Sequence, residues 1–138
     1  MNKAELDKIT ERIIGAAHKV SNALGVGFLE KVYENAHVHE MRKDGLSIIQ
    51  QHPIKVVYDG IVVGDFFVDL LVENLILVEL KAVSTLNDDH MMQALNYLRA
   101  SELPACLLIN FGTPRAQIRR LHPSPKWKSS QPSKYVKT

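Results

Sequence analysis

The sequence contains little cysteine and no long uninterrupted apolar segment. Cys106 is the single cysteine among 138 residues, which excludes an intramolecular disulfide, and its apolar neighbours predict a small buried hydrophobic side chain. Charged residues interrupt every apolar stretch before it reaches the roughly 18 residues that span a bilayer. The first twenty residues alternate charged and apolar positions, unlike a signal peptide. We therefore expect a soluble, cytoplasmic protein with no membrane contact.

Four common enzyme signatures are also missing from the sequence. It has no Gly-x-Ser-x-Gly nucleophile elbow, no phosphate-binding loop, no dinucleotide fingerprint and no His-Glu-x-x-His zinc motif. Cys106 lies in an apolar run and is a poor candidate nucleophile. His37 and His39 are two residues apart in a helical segment, so their side chains diverge rather than chelate an ion. These absences argue against the corresponding enzyme classes.

Acidic residues are absent from the C-terminal end. Residues 111–138 contain seven Lys or Arg side chains and no Asp or Glu, whereas residues 1–110 contain ten basic and fifteen acidic side chains. The last segment is also rich in Pro and Ser. We expect a single domain over residues 1–122 and a basic, flexible tail over residues 123–138. Such a tail can add phosphate contacts to a nucleic-acid site, although a solvated terminus is the commoner case.

Hydrophobic periodicity divides the domain into helices followed by strands. Apolar residues at helical spacing predict a first helix over residues 3–24 and a second that ends at Gly45. From Leu46 the sequence changes to β-branched and aromatic runs, and Asp59-Gly60 predicts a two-residue hairpin turn. The expected fold is α/β (α+β-like), with a mixed central sheet flanked by helices. The other predicted elements are strands at residues 46–50, 54–58, 61–63, 66–72, 75–83, 105–110 and 117–121 and a helix at residues 89–100.

Glu79 and Lys81 form the first pattern that indicates chemistry. They are two residues apart in a predicted strand, so their side chains share one face about 7 Å apart. The surrounding segment is apolar, and burying either charge costs several kcal/mol, in order of magnitude, unless it is paired or binds a ligand. Taken alone, such a pair is more often found at a solvent-facing sheet edge.

Asp69 lies on the preceding strand, and the length of the connecting loop decides whether it joins this pair. A two-residue turn at residues 73–74 places Asp69 and Glu79 on opposite faces. A three-residue loop at residues 72–74 places Asp69 opposite Leu77, on the same face as Glu79. We expect the three-residue loop, because its asparagine suits the left-handed position that such loops need. Two carboxylates and a lysine would then converge, as in sites for hard divalent cations.

Two helices add polar stripes that can face this site. Each stripe has the spacing i, i+3 and i+7, which puts its side chains on one side of a helix. The solvated face of an ordinary amphipathic helix has the same pattern, so that interpretation remains open. The stripes are Glu30, Tyr33 and His37 on the second helix and His90, Gln93 and Tyr97 on the third.

Four separated motifs, at residues 27–33, 69–73, 78–82 and 93–97, together resemble the GxxExxxY proteins of the PD-(D/E)xK nuclease superfamily. The resemblance covers about residues 9–121. It implies a restriction-endonuclease-like core, in which helices precede a mixed sheet that carries acidic residues and a lysine at its centre. The sequence departs from the superfamily name at Val68, where that name expects proline.

The resemblance also implies the site and its activity. Its expected function is Mg²⁺-dependent hydrolysis of phosphodiester bonds in nucleic acid, with DNA as the expected substrate and Mn²⁺ as an alternative ion. A non-catalytic nucleic-acid or protein binding module on the same fold is the second reading, and a structural or dimerisation protein is the third. A homodimer is compatible with so small a domain. By resemblance the metal ligands are Asp69, Glu79 and Glu30, the catalytic lysine is Lys81, and the flanking residues are Gln93 and Tyr97.

Overall fold

Two helices precede the sheet, and a third separates its strands. The structure is a computed structural model that describes residues 2–127. None of the helices in this part of the chain is long and apolar enough to cross a membrane. The elements in chain order are α1 (Lys3–Leu24), α2 (Glu30–Lys43), β1 (Ile48–Tyr58), β2 (Ile61–Val72), β3 (Ile76–Lys81), α3 (Asp88–Ser101), β4 (Ala105–Asn110) and β5 (Gln117–Leu121).

The five strands between residues 2 and 127 form one mixed sheet in the order β1-β2-β3-β4-β5. The β1–β2, β2–β3 and β4–β5 pairs are antiparallel, whereas β3 and β4 are parallel. A parallel pair needs a long crossover connection, and α3 supplies it. The predicted α/β fold with a mixed sheet is therefore confirmed.

Helices cover both faces of the sheet. One apolar cluster joins α1 and α2 to sheet residues such as Leu70 and Leu80. A second, smaller cluster joins α3 to Leu71, Leu77 and Cys106. Cys106 is fully buried, as the sequence predicted, and burial raises the pKa of its thiol. On β3, Glu79 and Lys81 follow Leu77 at two-residue steps, so they share its face of the sheet, on the α3 side.

The β1–β2 hairpin turns at Asp59 and Gly60, which both have positive φ (52° and 77°), as a two-residue turn requires. This turn was predicted correctly, but both strands are longer than the sequence indicated. β1 continues through Pro53 because it is an edge strand, where a missing N–H donor is tolerated. It also continues through Gln51, whose φ of 55° leaves that residue outside the paired register with β2.

The β2–β3 connection corrects one prediction. Glu73 and Asn74 have left-handed φ values of 54° and 57°, and pairing starts at Val72 opposite Ile76. The connection is therefore residues 73–75, and the predicted loop at residues 72–74 was wrong by one position. The even register is kept, and it brings Asp69 next to Glu79 across the two strands. Continuing the register of Leu70 and Val78 places Asp69 opposite Glu79 rather than Leu77.

Candidate active site

The carboxylates of Asp69 and Glu79 meet where β2 and β3 stop pairing. The paired register of these strands ends at Leu70 and Val78. Beyond it, the Asp69 backbone N–H donates to Oε1 of Glu79 at 2.9 Å, and the Leu80 N–H donates to Oδ2 of Asp69 at 2.7 Å. Side-chain oxygens thus replace main-chain carbonyls between the strands. We call this junction of Asp69, Glu79 and Leu80 the strand fork.

Both carboxylates at the strand fork are held in surroundings that disfavour negative charge. Glu79 is only 5% exposed, and burial, reinforced by the charge of Asp69, raises its pKa to about 8. Burial also raises the pKa of Asp69. Within residues 2–127 neither carboxylate forms an ion pair. A buried acid beside a half-buried acid, with no ion-pair partner in this part of the chain, forms a binding environment for a cation.

Lys81 and Gln93 complete the α3 side of the site. Lys81 follows Glu79 by two residues on β3, and its Nζ donates to Oε1 of Gln93 at 2.8 Å. The lysine therefore contacts α3 and makes no ion pair with Glu79 in the described part of the chain. The predicted polar stripe of α3 does face the site at Gln93.

Tyr97 lies one turn beyond Gln93 on α3. Its hydroxyl has a raised pKa, caused first by burial and then by the charges of Glu79 and Asp69. The Tyr97 ring packs against Phe66 of β2, with 5.6 Å between the ring centroids and 48° between the planes. The structure thus brings Tyr97 within electrostatic range of both carboxylates.

Glu30, the first residue of α2, stands at the rim of the strand fork. Its pKa is raised, first by burial, then by the charge of Asp69, while Lys81 lowers it. Its side chain is more exposed than that of Asp69 or Glu79. Over residues 2–127 no group of three or more His, Cys, Asp or Glu side chains converges as a metal site. The role of Glu30 as a third ligand therefore stays a prediction.

Glu34 and Gln51 belong to the site region but were missed from the sequence. Glu34 is 2% exposed, and its carboxylate accepts hydrogen bonds from Lys31 Nζ (2.9 Å) and Gln51 Nε2 (3.1 Å). Gln51 Nε2 also lies 3.4 Å from Oδ1 of Asp69. Glu34 follows Glu30 by one helical turn, which was an available signal. The position of Gln51 depends on its left-handed backbone, which the sequence did not reveal.

Three residues of the two predicted stripes have structural roles. Tyr33 is fully buried and its hydroxyl donates to the carbonyl of Gly25 at 2.6 Å, which fixes the loop before α2. His37 is also fully buried, and burial lowers its pKa to about 4. His90 accepts the Asn87 N–H at its Nδ1, as part of the cap at the start of α3. None of the three reaches the strand fork through a hydrogen bond.

The comparisons with known proteins identify the family. The family model of the PD-(D/E)XK nuclease superfamily matches residues 7–121. The chain belongs to the PD-(D/E)XK nuclease superfamily. Its helices and mixed sheet are consistent with the restriction-endonuclease-like core of that superfamily, as the sequence predicted. No curated protein and no solved structure gives a significant match.

Superfamily membership indicates nuclease activity and nucleic acid as the partner. PD-(D/E)XK nucleases generally use divalent metal ions. The finer assignment to the GxxExxxY proteins stays a prediction.

The predicted tail starts within the described part, where Trp127 packs beside Arg99 of α3, with 5.9 Å from the guanidinium carbon to the ring centroid. The rest of that tail, residues 128–138, lies outside the described residues.

Proposed function

We propose that the protein is a Mg²⁺-dependent nuclease that hydrolyses phosphodiester bonds in DNA, with Asp69 and Glu79 as the metal ligands. The observation that carries this proposal is the strand fork itself. The buried carboxylate of Glu79 and the half-buried carboxylate of Asp69 lie side by side there, and main-chain N–H groups orient them without neutralising their charge. Leaving two such acids unpaired would be costly for a purely structural element.

The donor set of the strand fork fits a hard divalent cation. One oxygen of each carboxylate accepts a main-chain N–H, which would leave Oε2 of Glu79 and Oδ1 of Asp69 for an ion, the latter atom also lying 3.4 Å from Gln51 Nε2. Mg²⁺ is usually held by one or two carboxylates together with waters and substrate phosphate oxygens, so a third protein ligand is not required. Glu30, which is more exposed than Asp69 and Glu79, would hydrogen-bond a water of the ion's hydration shell. When bound, Mg²⁺ supplies Lewis-acid polarisation of the phosphate.

Lys81 supplies a second positive charge beside the carboxylates. Its bond to Gln93 holds the ammonium in place, and it makes no ion pair that would neutralise it within residues 2–127. A fixed ammonium at this position would offset the negative charge that grows on the phosphoryl oxygens. Tyr97 would orient a water or a phosphate oxygen through its hydroxyl. The positioning that phosphodiester hydrolysis needs would come from these side chains together with the carboxylates of Asp69 and Glu79.

A second candidate is a module that binds nucleic acid without cutting it. The observation that favours this hypothesis is that no three His, Cys, Asp or Glu side chains converge as a metal site within residues 2–127. The third interpretation, a structural protein held by charge pairs, predicted an ion pair between Glu79 and Lys81. In the described part of the chain Lys81 bonds Gln93 instead.

A cleavage assay tests the proposal. Single-stranded and duplex DNA, and RNA of the same sequence, are incubated with the protein in Mg²⁺, in Mn²⁺ and in excess chelator. Asp69→Asn is compared with Asp65→Asn, since Asp65 also lies on β2 but is exposed and paired with Lys55 at 3.1 Å. We expect metal-dependent cutting of DNA that Asp69→Asn abolishes and Asp65→Asn keeps. Binding without cutting in any metal would favour the second candidate.

A further inference from the structure

A groove of about 660 Å³ lies between α3 and the β1–β2 hairpin, beside the strand fork. We propose that this groove accepts an unpaired nucleobase next to the scissile phosphate, so that the substrate is nucleic acid with single-stranded or unpaired nucleotides. This inference rests on the proposed function and narrows its substrate. The groove's lining includes Phe66, Asp89, Met92, Asn96 and Arg99, together with Gln93 and Tyr97 of the active site.

The groove is continuous with the active site. Gln93 and Tyr97 line the groove, and Gln93 is also the partner of Lys81. A phosphate beside Lys81 would therefore have its neighbouring nucleotide at the mouth of the groove. A protein segment in this position would cover Gln93 and Tyr97 and obstruct the site. The continuity thus favours a part of the substrate over a partner chain.

Phe66 provides a stacking surface that the backbone holds in place. Phe66 is 42% exposed, and its ring packs against Tyr97. Gly64, two residues earlier on β2, also lies against the ring, because an added Cβ there would come within 2.8 Å of Cε2 of Phe66. The glycine therefore makes room for the ring over the strand. Aromatic rings of this kind bind bases without sequence preference, because every base has a π-face.

The polar groups of the groove suit a base better than a phosphate. Asn96 and Gln93 offer amide donors and acceptors, which match the hydrogen-bonding edges of nucleobases. Asp89 and Arg99 contribute opposite charges, so the groove has no excess positive charge to hold the sugar-phosphate backbone. Met92, 57% exposed, adds an adaptable apolar contact. A base inside a duplex is stacked and paired, so only an unpaired or extruded base can enter.

The test is the binding of oligonucleotides that carry 2-aminopurine, a fluorescent base, at a single-stranded position or within a full duplex. Binding is followed in Ca²⁺, another hard cation that carboxylates hold, with intact substrate confirmed at the end. Phe66→Ala is compared with Phe67→Ala, because Phe67 is the exposed neighbour on the opposite face of the same strand. Phe66→Trp restores an aromatic surface.

We expect the wild type to bind the single-stranded probe more tightly than the duplex and to change its fluorescence. Phe66→Ala should weaken this binding roughly tenfold, while Phe67→Ala and Phe66→Trp retain it. Equal loss in Phe66→Ala and Phe67→Ala, or no loss in either, would overturn the groove assignment. So would equally tight binding of the duplex. Thermal melting of each variant separates these results from misfolding, and Phe66→Trp keeps the test valid if Phe66→Ala does not fold.

The same probes keep this inference distinct from the proposed function. If the wild type cuts DNA in Mg²⁺ but Phe66→Ala binds and cuts like the wild type, the groove assignment fails and the nuclease stands. If no preparation cuts any substrate while the probe still binds in a Phe66-dependent way, the base site stands and the nuclease proposal fails.

Discussion

Two regions of this protein, the N-terminal helix α1 and the strand fork, hold acidic side chains in opposite environments. Asp7 on α1 accepts from Arg120 Nη2 at 2.6 Å and from Lys3 Nζ at 3.2 Å, and these bonds lower its pKa. Among residues 2–127, Asp69 and Glu79 at the strand fork accept only from main-chain and amide N–H groups, and burial raises the pKa of both.

The difference separates acids that serve the fold from acids that serve a site. Asp7 is matched by cations of the chain itself, so its charge is neutralised without a ligand. The strand fork keeps two acids oriented and unmatched, an arrangement that reduces stability until a cation arrives. The comparison thus predicts that changes at the strand fork alter activity and the pH response near neutral pH, while changes at Asp7 alter neither.

The largest effect is expected from removing a ligand at the strand fork. Asp69→Asn should lower kcat by about a thousandfold or more, because the metal ion and its electrostatic contribution to the transition state are lost. Asp7→Asn, assayed beside it, should cut DNA at the wild-type rate. Comparable losses in the two variants would break the distinction between the two groups of acids.

Lys81→Met is expected to have the next largest effect. It keeps most of the length of the side chain but removes the ammonium beside the carboxylates, and kcat should fall about a hundredfold. Lys55→Met is the matched control, since Lys55 is a strand lysine whose partner, Asp65, is exposed. Steady-state cleavage rates in saturating Mg²⁺ measure both. An unchanged kcat in Lys81→Met would show that the lysine takes no part in the reaction.

Glu79 should make the metal-free protein less stable as the pH rises. Its folded pKa of about 8 exceeds the ordinary value of 4.5, so its contribution is complete below pH 4.5 and is lost as the pH rises through 8. Between pH 5 and pH 9 the free energy of unfolding should fall by roughly 2 to 4 kcal/mol relative to Glu79→Gln. Denaturant titrations in chelator give this difference. Parallel pH profiles for the two proteins would contradict the burial of an unmatched carboxylate.

The smallest effect is expected at Asp7. Exposed ion pairs contribute little to stability and are screened by salt. Asp7→Asn should therefore lower the Tm only slightly at low salt and not at all at high salt, as measured by thermal melting. A large, salt-independent drop would mean that the bonds to Arg120 and Lys3 have a greater structural role than this comparison assigns to them.

Local patterns were sufficient to predict most of the fold. Helical periodicity predicted α1 with its observed bounds, and the Asp59-Gly60 turn and β4 were also predicted correctly. The length of the β2–β3 connection was predicted correctly but its position was not, because Leu75 adds a residue after the left-handed pair at 73–74. A shift of one residue within a loop leaves no trace in hydrophobic alternation.

Only part of the site could be predicted, because its hydrogen bonds depend on backbone details that hydrophobic alternation does not record. Glu79 and Lys81 stand out as charges in an apolar strand, whereas the hydrogen bonds of the strand fork depend on where pairing stops. The link from Glu34 to Asp69 runs through Gln51, whose left-handed backbone is set by tertiary contacts. Conversely, Tyr33 and His37 fit a site stripe in sequence but are buried in the core.

Calorimetric titration with Mg²⁺ tests the central claim most directly. Metal should bind the wild type and release close to one proton at pH 7, seen as heats that differ between buffers of different ionisation enthalpy, because Glu79 must ionise to hold the ion. Asp69→Asn should lose this binding, and Asp7→Asn should keep it. Absence of Mg²⁺ binding by the wild type, or equal binding by Asp69→Asn, would contradict the assignment of the strand fork as a metal site.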